Sequence, residues 1–149
     1  MKLLRVNLMA VLMFFVVLTS GFADTNTLLS AVGGLSASDV YMKYAAIGSI
    51  GDGFEKGVYD SNFVKTVVGD ILTLNNSATE HFNNMLNSGD FVGEDVVFGN
   101  RMIETYKYLS KEAEAFANYL MTMDKKYADE FQVYRKLAWG TIKLLLGLK

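Results

Sequence analysis

The sequence predicts an all-α fold, an up-down four-helix bundle. Three observations point to it. Apolar residues recur at spacings of three and four along most of the chain, the signature of helices with one oily face. Proline is absent, so the strongest helix breaker is missing and other residues must mark the joints. Polar or glycine clusters interrupt the pattern near Asp60, Gly89 and Asp124. No segment alternates with the two-residue period of a half-buried strand.

Residues 1–23 read as an address rather than as fold. Lys2 and Arg5 precede a nearly unbroken apolar run from Val6 to Leu18. Small residues, Gly21 and Ala23, then stand at −3 and −1 before Asp24. That is the three-part grammar of a cleavable secretory signal peptide. The run is shorter than the ~20 apolar residues of a spanning helix; an uncleaved membrane anchor is the competing reading. Residues 24–37 form a lead-in whose Leu28, Leu29, Val32 and Leu35 share one face until Gly33-Gly34 interrupts it. The bundle domain is expected over 38–149.

The first bundle helix starts at Ser38, a good N-cap, with Val40, Tyr44, Ile47, Phe54 and Val58 on one face. Asp60-Ser61-Asn62 ends it. The second carries Val64, Val67, Val68, Ile71, Leu74, Ala78, Phe82, Met85 and Leu86, and stops at Asn87-Ser88-Gly89-Asp90. Its Asn75-Asn76-Ser77 sequon falls inside the helix and reads as chance. Glu94 and Asp95 suit the positive end of the third helix. Its stripe runs Phe98, Met102, Tyr106, Leu109, Ala113, Phe116, Leu120 and Met123. The same phase continues through Tyr127, Phe131, Tyr134, Ala138, Ile142 and Leu145, so the third joint at Asp124 is the least marked. Were it absent, the alternative is a long helical hairpin that dimerises to bury its stripes.

Composition narrows the chemistry. There is no cysteine and one histidine in 149 residues. That removes disulfides, thiolate nucleophiles, Cys-ligated zinc and multi-histidine metal sites. Without Lys2 and Arg5, the 14 basic residues fall to 12 against 16 acidic ones, a net of −4. Such a charge argues against nucleic acid as a partner.

Glycine supplies the most unusual pattern. Gly48-Ser49-Ile50-Gly51-Asp52-Gly53 has the wrong order for a dinucleotide fingerprint, and no Lys follows for a Walker loop. Phe54 blocks a calcium loop starting at Asp52. Ala45, Ser49, Gly53 and Gly57 recur every four residues, opposite the apolar stripe. That small-residue face predicts a docking surface for a protein partner, a second copy or the Leu28–Leu35 segment; a kink at Gly51-Asp52-Gly53 is the competing reading. Tyr108 and Tyr119 flank Glu112 and Ala115 on a second stripe away from the core, and join the candidate contact surface.

Tyr106, Tyr127 and Tyr134 lie on the core stripe, where buried hydroxyls need partners. They predict the lining of a ligand pocket between helices. His81 with a methionine such as Met85 or Met102 suggests a haem carrier, yet no Glu-x-x-His motif accompanies it and no cofactor or metal site is assigned. Glu104, Glu112 and Glu114 fall off the third stripe, so no carboxylate is expected in the core. Nothing therefore predicts an enzyme. The C-terminal segment from Leu137 is apolar almost all round and is the one place, besides the leader, where membrane contact is conceivable. The expectation is an exported, periplasmic or secreted, non-enzymatic helical protein that works by protein–protein interaction, with a small-ligand or haem carrier as the alternative.

Overall fold

A computed structural model describes residues 25–89 and 91–148. Among these the chain is all-helical, with four helices and no strand. They are α1 (Thr25–Glu55), α2 (Ser61–Ser88), α3 (Glu94–Thr122) and α4 (Lys125–Leu145). The expected leader, 1–23, lies outside the described residues. The chain divides into two compact units after Gly34. Of the first, the described residues 25–34 are helical. The second, from Leu35 onward, holds the bundle.

Helix α1 is continuous from Thr25, and Gly33-Gly34 does not interrupt it. A helical glycine costs only ~1 kcal/mol against alanine, too little to end a helix without a cap or a proline.

The three joints fall where the sequence places them, each with a local cause. Gly57, at φ +69°, closes α1. The Val58 N–H donates to Gly53 O at 2.8 Å and the Gly57 N–H to Phe54 O at 2.9 Å, the paired bonds of a Schellman ending. The Asp60 carboxylate then caps α2, accepting from the backbone N–H of Asn62 and of Phe63, each at 2.8 Å. Gly89, at φ 80°, ends α2 in the left-handed conformation. Glu94 and Asp95 occupy the first turn of α3, as expected. The α3–α4 joint is Met123-Asp124. Met123 adopts φ 55° and Asp124 accepts from the Lys126 N–H at 2.9 Å. This settles the long-hairpin alternative in favour of four separate helices. Lys125 and Lys126 oppose the macrodipole but pair with Asp129 and Glu130 one turn on.

Helix α3 is the centre of the packing. α2 and α4 both lie along it and not against each other. α1 runs parallel to it, with Asp39 beside Tyr106 and Phe54 beside Phe116. α2 and α4 are antiparallel to it, through Asn75 with Ser110 and Phe116 with Phe131. Met102, Tyr106, Leu109, Ala113, Phe116 and Leu120 are buried as expected. So are Ile103 and Thr105, and also Glu112 and Ala115, which the sequence puts on an outer face. A helix covered from three sides has too little free circumference for two outer stripes. On α2, Asn75 takes the buried position and Leu74 is exposed. Val64, Val68, Ile71, Asn75 and Phe82 keep strict helical phase, and phase wins over hydrophobicity at that one turn.

Candidate functional site

The predicted tyrosine pocket does not assemble. Tyr106 is buried, and its hydroxyl donates to Asp39 Oδ2 on α1 at 2.8 Å. Lys43 pairs with the same Asp39 oxygen at 2.8 Å and lies 4.8 Å from the Tyr106 ring centre. Burial first, and then the Asp39 carboxylate, push the phenol well above its ordinary range, so it stays protonated. Tyr134 meets Lys111, and Tyr127 meets Lys126 at the start of α4. Because Glu112 faces Arg135, Tyr106 and Tyr127 sit on opposite sides of that level, about 20 Å apart along the axis at ~1.5 Å per residue.

The predicted small-residue face is also not one surface. Ala45 is half-buried and Ser49 exposed. Gly53 is covered by the Tyr59 ring, which a β-carbon there would strike. Gly57 is outside the helix, in the turn described above. Tyr108 is half-buried and donates to Glu104 Oε1 at 3.0 Å within its own helix. Tyr119 lines a cavity. His81 is exposed, and among the described residues no group of three or more His, Asp or Glu is placed to hold a metal ion. No helix among the described residues is long and apolar enough to cross a membrane.

The glycines that matter are Gly48 and Gly51, one and two residues off that face. They form one wall of a cavity of about 330 Å³ between α1, α3 and α4. Phe54 continues the α1 wall, Phe116 and Tyr119 come from α3, and Ala128, Phe131 and Arg135 from α4. Asp52, Glu55 and Gln132, all exposed, stand at its mouth. The missing β-carbons make the space. A β-carbon on Gly48 would strike the Arg135 guanidinium, and one on Gly51 would approach Phe116 at 3.8 Å.

Arg135 lines this cavity and is tightly held. Its Nη1 donates to Glu112 Oε1 at 2.7 Å and to the Tyr44 carbonyl at 3.3 Å. The guanidinium carbon lies 4.1 Å from the Tyr44 ring centre and 5.9 Å from that of Phe131, both cation–π distances. Tyr44 stacks in turn on Trp139, centroids 5.4 Å apart. Glu112 has no exposed surface, correcting the expectation that the core holds no carboxylate. Among the described residues its buried Oε2 has no hydrogen-bond partner. Burial raises its carboxyl to about 7, and the hydrogen bond and charge of Arg135 only partly offset that rise.

Sequence reasoning passed over Arg135 and put Glu112 on a solvent face. A signal was available. Glu112 and Arg135 are equidistant from the Met123-Asp124 turn, as are Phe116 and Phe131. An antiparallel hairpin brings such positions level, so opposite charges there are a candidate pair. Comparison with family models, with curated proteins and with solved structures returns no match for this chain.

Proposed function

We propose that this four-helix bundle binds a small molecule between α1, α3 and α4. The observation that carries the reading is the cavity of about 330 Å³, within the volume range of ligand sites. Four aromatic rings line it, with Arg135 as the one cation in its wall and Asp52 and Glu55 exposed at its mouth, a mostly apolar lining with a few polar groups as such sites have. The reading keeps the small-ligand alternative drawn from the sequence and moves its site to Phe116, Tyr119, Phe131 and Arg135. The signal-peptide grammar of residues 1–23 supports an exported, periplasmic or secreted carrier. No bound cofactor and no enzymatic step form part of the reading.

The test is a ligand-observed NMR screen of a small-molecule library against the wild type and Gly51→Leu. A side chain at Gly51 grows into the cavity from an unobstructed β-carbon. Binding that disappears in Gly51→Leu is the expected result. A library without hits, or hits indifferent to that substitution, defeats the reading.

Protein–protein interaction is the second reading, favoured by a different surface from the one first expected. Val133, Leu137 and Leu144 are 56%, 41% and 60% exposed along one face of α4. An uncovered aliphatic row of this kind suits a protein contact or self-association. Sedimentation over a concentration series, with Leu137→Lys/Leu144→Lys as control, tests it. A monomer at every concentration argues against self-association.

A further inference from the structure

We propose that the cavity takes a small apolar carboxylate, with its head group on Arg135 and its body between Phe116, Tyr119 and Phe131. The inference rests on the cavity being a ligand site and names the class of ligand.

Arg135 is the one cation in the cavity wall. Its donors are unequally used. Nη1 is engaged by Glu112 and by the Tyr44 carbonyl. Among the described residues no acceptor bonds to its Nη2 or Nε. The planar fork of a guanidinium matches the two oxygens of a carboxylate. Here the fork is oriented in advance by the Tyr44 ring and by the Glu112 bond, so little ordering remains for binding to supply.

The aromatic lining specifies the rest of the molecule. Phe116 is buried, and Tyr119 and Phe131 are half-buried. These rings favour a flat or chain-like apolar body.

Charge separates this ligand from its competitors. A cation meets Arg135 in the wall, and only the exposed Asp52 and Glu55 favour it, through water and salt. A dianion such as a phosphate ester faces Glu112 behind the same guanidinium and those two carboxylates at the mouth. A single negative charge is the best match. Burial also biases Glu112 towards its neutral form, which leaves the Arg135 charge available to a ligand.

Calorimetric titration of the full chain with three matched probes tests this: phenylbutyrate, phenylbutylamine and phenylbutanol. The carboxylate is expected to bind about tenfold more tightly than the alcohol, and the amine most weakly. In the double variant Glu112→Gln/Arg135→Gln, which removes both charges together, carboxylate and alcohol should bind alike. Glu112→Gln alone, which frees the Arg135 charge, should tighten the carboxylate. Circular dichroism confirms that each variant is folded. Equal or tighter binding of the amine or alcohol by the wild type overturns the carboxylate assignment and leaves the ligand-site reading standing. A carboxylate preference that survives in the double variant overturns the role of Arg135. Failure of all three probes to bind overturns both the assignment and the ligand-site reading.

Discussion

Glu112 and Arg135 face each other across the α3–α4 hairpin at 2.7 Å, the carboxylate fully buried and the guanidinium one quarter exposed. Their partnership is asymmetric. The arginine keeps water, two aromatic rings and a backbone carbonyl, whereas the glutamate has little besides the arginine. Removing the arginine is therefore the more damaging change. Arg135→Met is expected to cost about 3 kcal/mol at pH 8, because it strands a buried carboxylate. Glu112→Leu/Arg135→Met should recover most of that loss, since two apolar side chains satisfy the site without desolvated charge. Urea unfolding of the single and double variants measures both.

The Glu112 carboxyl also makes stability depend on pH in an unusual sense. Its folded value, about 7, lies above its ordinary 4.5. Between the two, the folded chain holds a proton that the unfolded chain has released. Stability from this group therefore falls as pH rises through that window. The penalty is absent below pH 4.5 and fully developed above about 7, and is on the order of 3 kcal/mol. Wild type minus Glu112→Gln, measured by urea unfolding from pH 4 to 8, isolates it. A difference that stays flat across the window disproves the assignment.

Glycines in these helices should respond in opposite directions to alanine. Gly69 and Gly140 are exposed and open, with nothing near a new β-carbon. Gly69→Ala and Gly140→Ala should each stabilise by about 0.5–1 kcal/mol. Gly48→Ala drives a methyl group into the Arg135 guanidinium. It must push that group off Glu112 or off Tyr44, and a net loss of about 1–2 kcal/mol is expected despite the better helix propensity. Trp139 is the sole tryptophan and stacks on Tyr44, so its fluorescence should change in Gly48→Ala and not in Gly69→Ala.

At the other end of the α1–α3 contact, Tyr106→Phe removes the hydroxyl bonded to Asp39 and leaves the ring packed on Phe82. Asp39 retains Lys43. The expected cost is about 1.5–3 kcal/mol, the range for a hydrogen bond to a charged acceptor. Asp39→Ala should cost more, because Lys43, only 9% exposed, then loses its carboxylate. Thermal melts of the two variants rank them.

What the sequence by itself determined is local. Helical phase, the cap at Asp60, the left-handed Gly89 and the acidic start at Glu94 are interactions within a few residues, and such signals are written directly in the chain. Four helices and their joints follow from them. What only the tertiary structure decided is which sides of α3 meet other helices. α3 is surrounded by α1, α2 and α4, and so Glu112 and Ala115 pass from an apparent outer stripe into the interior. The same arrangement turns Gly48 and Gly51, rather than Gly53 and Gly57, into the residues that make room, and sends Tyr106 and Tyr127 to different levels. Burial is a property of neighbours, and neighbours are set by how three amphipathic surfaces divide one central helix among them. Periodicity along a single chain does not encode that division.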